Sequence, residues 1–290
     1  MSEFGLVIAR YKRHALVEIA TDKPYLCQFK SRTLNPVVGD NVTCYKVSKD
    51  SGTIELINAR SSELKRINSK GKPETVAANL TQLVIVIAVT PTPDWFLLDR
   101  YLAAAELAHL KATIIFNKLD LTKEIPSTYH SYENLGYPIS AISAHTGIGI
   151  PAFSKTMISE RSVIIGQSGV GKSSLINSLM GDNVQKVGKL STKSNLGKHT
   201  TTTATLHRLP NGGELIDSPG VRDYAPYIGK NQQIQQGFRE LSALSQNCRF
   251  SNCNHLAEPD CAIKTALADG AITSKRYKSY KQLFELQASL

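Results

Sequence analysis

The chain has little tryptophan, methionine or acid, and it lacks any long apolar run. Among 290 residues there are 1 Trp, 3 Met and 5 Cys, and aromatics make up 7%. The longest apolar run, Leu83–Val89, falls far short of the roughly 18 residues needed to span a bilayer, which excludes a membrane-crossing helix. No membrane partner is expected. The amino end, Met1-Ser2-Glu3-Phe4, has no basic segment ahead of an apolar one, so no secretory signal and a cytoplasmic location are expected. Repeats and low-complexity tracts are absent. A hydrophobic fraction of 41% with 20% charged residues excludes disorder as the main state.

Acid is outnumbered: 34 Lys+Arg face 24 Asp+Glu, a formal charge of +10. The resulting pI near 9.3 suits a polyanionic partner, because clustered cations release counterions from a phosphate backbone. Residues 1–75 carry 13 basic and 8 acidic side chains, residues 76–225 carry 13 and 11, and residues 226–290 carry 8 and 5. Both ends are more basic than the middle. An evenly solvated basic surface is the plain alternative.

The pattern along the chain divides it into three. Leu6–Ala9, Ala15–Ile19, Tyr25–Phe29, Asn41–Val47 and Thr53–Ile57 read as short strands broken by turns such as Asp22-Lys23-Pro24 and Asp50-Ser51-Gly52. About five such strands suit a small OB-fold barrel. The polar stretch Arg60 to Pro73 reads as a linker or arm. Leu83–Val89, Ala112–Phe116, Ile139–Ile142 and Ser162–Ile165 then read as strands of a mostly parallel α/β sheet, with Leu206–Leu209 and Glu214–Ile216 as further strands. Helices are expected at Trp95–Leu110 and Ser173–Met180. After Tyr224 the chain reads as mainly helical, ending in a basic helix from Ser274 to Leu290. The division expected is a barrel at 1–70, an α/β domain at 71–224 and a mainly helical domain at 225–290.

The chemistry is concentrated at the ends of these strands. Gly166, Gln167, Ser168, Gly169, Val170, Gly171, Lys172 and Ser173, followed by Ser174, match the phosphate loop GxxxxGK[ST] between a strand and a helix. Its backbone N–H groups would face phosphates, Lys172 would reach the β- and γ-phosphates, and the Ser173 hydroxyl would ligate Mg²⁺. Asn117, Lys118, Leu119 and Asp120 form the NKxD element, again directly after a strand. A carboxylate there accepts the N1–H and 2-amino hydrogens of guanine, and adenine leaves it unpaired. Asp217-Ser218-Pro219-Gly220 matches DxxG, with Asp217 holding Mg²⁺ through water and the Gly220 N–H sensing the γ-phosphate. Ser143 and Ala144 resemble the loop that backs the guanine base. Cys27 and Cys44 sit singly and are expected to be buried. Cys248, Cys253, His255 and Cys261 crowd together and offer a complete tetrahedral shell for one structural Zn²⁺, with no position left for water.

The motifs come in an unusual order. Ordinary GTPases run phosphate loop, switch I, DxxG, NKxD, SA, whereas here NKxD and SA precede the phosphate loop and DxxG follows it. A circular permutation restores the usual order and feeds the DxxG segment directly into the C-terminal region. This combination resembles the RsgA (YjeQ) family of circularly permuted GTPases that act in late assembly of the small ribosomal subunit. The resemblance spans nearly the whole chain. It implies an OB barrel, a permuted GTPase and a zinc domain, with GTP and GDP, the small subunit and its rRNA as partners. It also implies hydrolysis stimulated by the subunit and followed by release. The cysteine and histidine spacing matches the family's zinc motif.

Val221 stands where many GTPases place a water-orienting Gln after DxxG. Gln185–Arg208 lies between phosphate loop and DxxG, carries Lys186, Lys189, Lys193, Lys198 and Arg208 without an acid, and is the switch I candidate. One of Thr200, Thr201 and Thr202 would complete the Mg²⁺ shell. His199 is the candidate that positions water, the part the family gives its equivalent histidine. The rival readings are a P-loop enzyme that modifies a small molecule, a non-catalytic RNA-binding module, and an RNA-binding GTPase switch with a different RNA–protein partner. A monomer is expected.

Overall fold

The computed structural model describes residues 2–20, 22–68, 70–122, 124–181, 204–218, 226–229 and 234–288. Five strands form the N-terminal barrel: β1 (Ser2–Arg10), β2 (His14–Ile19), β3 (Asp22–Phe29), β4 (Asn41–Ser48) and β5 (Ser51–Ile57). They pair in the order β1-β2-β3-β5-β4, and β4 returns to β1 to close the barrel. Alternation drives the closure. In β2, Ala15, Val17 and Ile19 turn inward to meet Val7, Tyr25, Val42 and Ile54, while the residues between them stay half-exposed. Cys27 and Cys44 are buried in this interior, as expected. Gly52 is required here: a Cβ would stand 2.5 Å from the Tyr25 ring and 2.7 Å from a backbone oxygen.

The stretch read as a linker or arm is instead structured. Glu63–Ile67 (β6) and Pro73–Ala78 (β7) form an antiparallel hairpin, and the expected boundary at residue 70 lies in its turn. Its polar sequence hid it. Leu64, Val76 and Ala77 are buried in the core of the sheet domain, and the ladder supplies the backbone bonds that a polar arm would have left to water.

The α/β sheet follows: β8 (Gln82–Ala88), α1 (Trp95–Leu107), β9 (Lys111–Asn117), α2 (Thr128–Asn134), β10 (Ile139–Ala141), α3 (Ile150–Lys155), β11 (Arg161–Gly166), α4 (Lys172–Met180), β12 (Ala204–Arg208) and β13 (Glu214–Asp217). The order is β10-β9-β8-β11-β13-β12, parallel except for β12. Every residue of β8 is buried, because helices cover both faces. Leu83, Ile85 and Ile87 pack with α1 and α2 residues such as Leu98, Leu102 and Tyr129, while Val84, Val86 and Ala88 pack with Phe153, Leu175 and Leu179 of α3 and α4. At its far edge, β12 pairs with β1 (Ala9↔Thr205), so eleven described strands form one continuous sheet system.

The C-terminal region is mainly helical, as expected: α5 (Arg239–Ser245), α6 (Ala262–Ala268) and α7 (Ser274–Ala288). Its core of Phe238, Leu241, Ile263, Tyr280 and Leu283 includes Ala103 of α1, so this region packs on the helical face of the sheet. Gly237 makes the approach possible; a Cβ there would stand 2.9 Å from the Ala103 side chain. Among the described residues no helix is long and apolar enough to cross a membrane.

Candidate functional site: a nucleotide pocket and a thiol–imidazole cluster

Parallel strands deliver their motifs to one edge. β9, β8, β11 and β13 lie side by side in parallel register, so the residues that follow each strand emerge together at the carboxyl edge. NKLD follows β9, Ser143 and Ala144 follow β10, the phosphate loop follows β11, and Asp217 ends β13. The permuted order therefore costs nothing in space.

The phosphate loop has the backbone its glycines permit. Gly166, Gly169 and Gly171 have φ of +146°, +79° and +96°. A Cβ on Gly171 would stand 2.4 Å from Asn117 Nδ2, so this glycine also admits the brace from NKxD. Asn117 donates to Val170 O and accepts from Ala144 N, both at 2.9 Å, which ties three motifs together through one buried amide. Lys118, at φ +65°, donates to Gly169 O at 2.7 Å and to Thr90 O at 2.8 Å. Lys172 is buried with its Nζ 2.8 Å from both Gly166 O and Gln167 O. Ser173 and Ser174 open α4 and are exposed.

Asp120 is exposed on a 3₁₀ turn, Leu119–Leu121, directly after the Asn117 and Lys118 that brace the phosphate loop. The buried Ser143 hydroxyl donates to its Oδ1, and Thr146 N donates to Ser143 Oγ at 3.1 Å. That hydroxyl bond holds the Asp120 carboxyl below the usual carboxylate range, with His145 and Lys118 adding to the effect. A fixed, ionised acceptor beside a phosphate loop suits a base that offers two adjacent N–H donors, as guanine does.

Sequence reasoning missed one wall of this pocket. The loop after β8 sits against the phosphate loop: Asp94 N donates to Gln167 Oε1 at 3.2 Å, and Pro91 Cδ lies 3.6 Å from where a Gly169 Cβ would stand. Two prolines and an N-capping aspartate after a buried strand were the available signal. Asp94 Oδ1 does cap α1, accepting from Leu97 N at 2.9 Å. His199, Thr200, Thr201, Thr202, Gly220 and Val221 lie outside the described residues, as do Lys186, Lys189, Lys193 and Lys198.

The second site is the cluster in the C-terminal region. The ligand atoms of Cys248, Cys253, His255 and Cys261 all lie within 4.8 Å of one another. Cys248 Sγ and Cys261 Sγ are 3.9 Å apart, and each is 3.5 Å from His255 Nδ1. A tetrahedral zinc with Zn–S bonds near 2.3 Å requires S···S edges of about 3.8 Å, so these residues fit the ion. The buried His255 turns Nδ1 toward the sulfurs, and burial lowers its pKa and keeps it neutral, as a ligand must be. The loop is fixed around it. Tyr277 OH donates to His255 O at 2.7 Å and Tyr280 OH to Asn254 O at 2.8 Å. The Glu258 carboxylate accepts the backbone N–H groups of Asn254, Leu256 and Ala257.

The comparisons agree with this geometry. The small ribosomal subunit biogenesis GTPase RsgA of Haemophilus influenzae (strain PittGG) is 38% identical over 293 residues, covering 98% of this chain and 85% of that protein. The crystal structure of YjeQ from Thermotoga maritima superposes with a TM-score of 0.76 at 29% identity and covers all of both chains. The crystal structure of YloQ, a circularly permuted GTPase, gives a TM-score of 0.76 at 24% identity over 100% of this chain and 96% of that one, a likeness of fold. A family model described as RsgA GTPase matches residues 57–226, which hold the permuted motifs in the order found here. With a relative this similar along nearly its full length, the chain belongs to the RsgA GTPase family and is a GTP-hydrolysing enzyme.

Proposed function

We propose that this GTPase serves the maturation of the small ribosomal subunit. It binds the subunit and its rRNA in the GTP form, and the subunit stimulates hydrolysis, which triggers release. The carrying observation is the 38% identity, over 98% of the chain, to a protein named for small ribosomal subunit biogenesis. The barrel surface supports an RNA partner. A groove of about 590 Å³ is lined by Arg10, Lys12, Arg13, His14, Lys30 and Arg32, with Phe29 and no acid among its walls. The protein acts as a monomer in the cytoplasm, with the barrel and the C-terminal region flanking the GTPase sheet.

In this reading Asp120 takes the guanine edge, with Asn117, Lys118 and Leu119 setting its place and Ser143 and Ala144 backing the base. The backbone from Gly166 through Gln167, Ser168, Gly169, Val170 and Gly171 to Ser174 cradles the phosphates. Lys172 leaves its loop carbonyls for the β- and γ-phosphates. Ser173, Asp217 through water, and one of Thr200, Thr201 and Thr202 hold Mg²⁺, which neutralises charge developing on the phosphates. Gly220 senses the γ-phosphate, and His199 positions the attacking water. Cys248, Cys253, His255 and Cys261 hold one structural Zn²⁺ that fixes the C-terminal region and takes no part in hydrolysis.

The test is steady-state hydrolysis by the purified protein, alone and with isolated small or large ribosomal subunits. Small subunits alone should raise GTP turnover, and ATP should be inert. Equal rates with and without subunits would overturn the partner while leaving the GTPase.

A further inference from the structure

The C-terminal region grips the GTPase through a buried charge. Arg276, near the start of α7, is 4% exposed, and Asp99 on α1 is fully buried. Arg276 Nη1 donates to Asp99 Oδ1 at 2.6 Å, its Nε to Glu240 Oε1 at 2.6 Å, and its Nη2 to Glu240 Oε2 at 3.2 Å. The guanidinium also lies 4.5 Å from the Phe238 ring centroid, and Tyr132 OH donates to the same Asp99 oxygen at 2.9 Å. One cation thus joins α7 and α5 to α1, with α2 sharing the acceptor. Buried ion pairs are weak stabilisers, because desolvation consumes most of the Coulomb gain; their better-attested use is to fix a register that apolar packing leaves free.

The register matters at the N-terminal end of α1. There the loop 90–94 forms the wall of the phosphate loop: Asp94 N holds the Gln167 side chain and Pro91 rests beside Gly169. Lys118 Nζ bridges Thr90 O and Gly169 O across the same seam. Asp99 lies five residues beyond Asp94, about 7.5 Å along a stiff helix. Any sliding or rotation of α1 that Arg276 prevents would therefore be delivered to Gln167 and Gly169.

We propose that Arg276 is a positioning residue for the phosphate loop, holding α1 through Asp99 so that Asp94 and Pro91 keep Gly166–Ser173 in the shape that takes nucleotide phosphates. It touches no reacting atom. By reciprocity, nucleotide on the loop favours the docked C-terminal region, and a partner that pulls on that region changes nucleotide affinity by the same factor. The inference rests on the reading of Gly166–Ser173 as the phosphate site.

The experiment compares GDP dissociation constants and GTP kinetics of the full-length protein with those of Arg276→Ala, Arg276→Lys, Lys281→Ala and Lys172→Ala. Circular dichroism and zinc content confirm the folded state of each. Arg276→Ala should weaken GDP binding about 10-fold and raise KM more than it lowers kcat, because a displaced loop loses ground-state contacts first. Arg276→Lys should recover most of the loss, and Lys281→Ala, exposed on α7, should match the wild type. A folded, zinc-retaining Arg276→Ala protein with wild-type GDP affinity overturns the proposal. Should that variant not fold, Asp99→Asn decides: weaker GDP binding supports the coupling, and wild-type affinity overturns it. Lys172→Ala separates the two levels. Wild-type GDP binding there would sink the phosphate-site reading itself; lost binding there beside normal Arg276 variants would sink the coupling alone.

Discussion

Asp99 and Asp120 are carboxylates of the same sheet domain with opposite fates. Asp99 is fully buried, and one oxygen is shared between Arg276 and Tyr132. Asp120 is exposed, and the Ser143 hydroxyl donates to one of its oxygens. The first is spent on other parts of the protein, and the second is held ready for something from outside. Burial alone would rank Asp99 as the more unusual group, yet a buried acid with its partners in place is structural. The acid proposed to take the guanine base is the one whose neighbours orient it and leave it open.

Removing Asp99 should give the largest effect. Asp99→Ala leaves the Arg276 guanidinium with Glu240 alone and strips the Tyr132 hydroxyl of its acceptor, and breaking a buried pair this way costs about 3 kcal/mol. Denaturant unfolding should show that loss, while the preference for guanine over xanthine nucleotides stays as in the wild type. A stability change below about 0.5 kcal/mol would mean that Asp99 is not the structural member of the comparison.

Asp120→Asn should show the converse. An amide there offers N–H where guanine also offers N–H, and xanthine supplies the acceptor instead. The nucleotide preference should swing by about 100-fold, and the unfolding midpoint should stay as in the wild type, as for other exposed sites. Competition between GDP and xanthosine diphosphate measures the swing; an unchanged preference would remove Asp120 from the base site.

This contrast also marks what the sequence made legible. Asp120 stands in a motif of adjacent residues after an apolar strand, so one short stretch names its chemistry. The barrel strands showed through two-residue alternation, and Leu83–Val89 through its continuous apolar character. Asp99 offered no such signal, because its partner Arg276 lies 177 residues away and the two meet only after the C-terminal region docks. The β6–β7 hairpin was missed for a related reason. Lys65, Arg66, Lys70 and Lys72 make it read as an arm, but Tyr227 N donates to Lys65 O at 3.0 Å and Pro226 bridges Arg66, so a distant segment helps to order it. Helices α2 and α3, of seven and six residues, are too short to be stable alone and exist through packing on the sheet.

The smallest effect sharpens the comparison most, because it tests what keeps Asp120 ready. The Ser143 bond lowers the Asp120 pKa, so the charged form that the proposed guanine contact needs is present above that lowered value and is lost only as pH falls through it. In Ser143→Ala the carboxyl should move up toward the ordinary carboxylate range, because the largest cause of its lowering is gone. At pH 7 both proteins carry the charge, so GDP affinity should differ only by the few-fold cost of a less well oriented acceptor. On acidification the variant should lose GDP first, at a higher pH than the wild type. Superimposable acid limbs would mean that Ser143 does not tune Asp120, leaving exposure and the nearby Lys118 and His145 to keep the carboxylate charged.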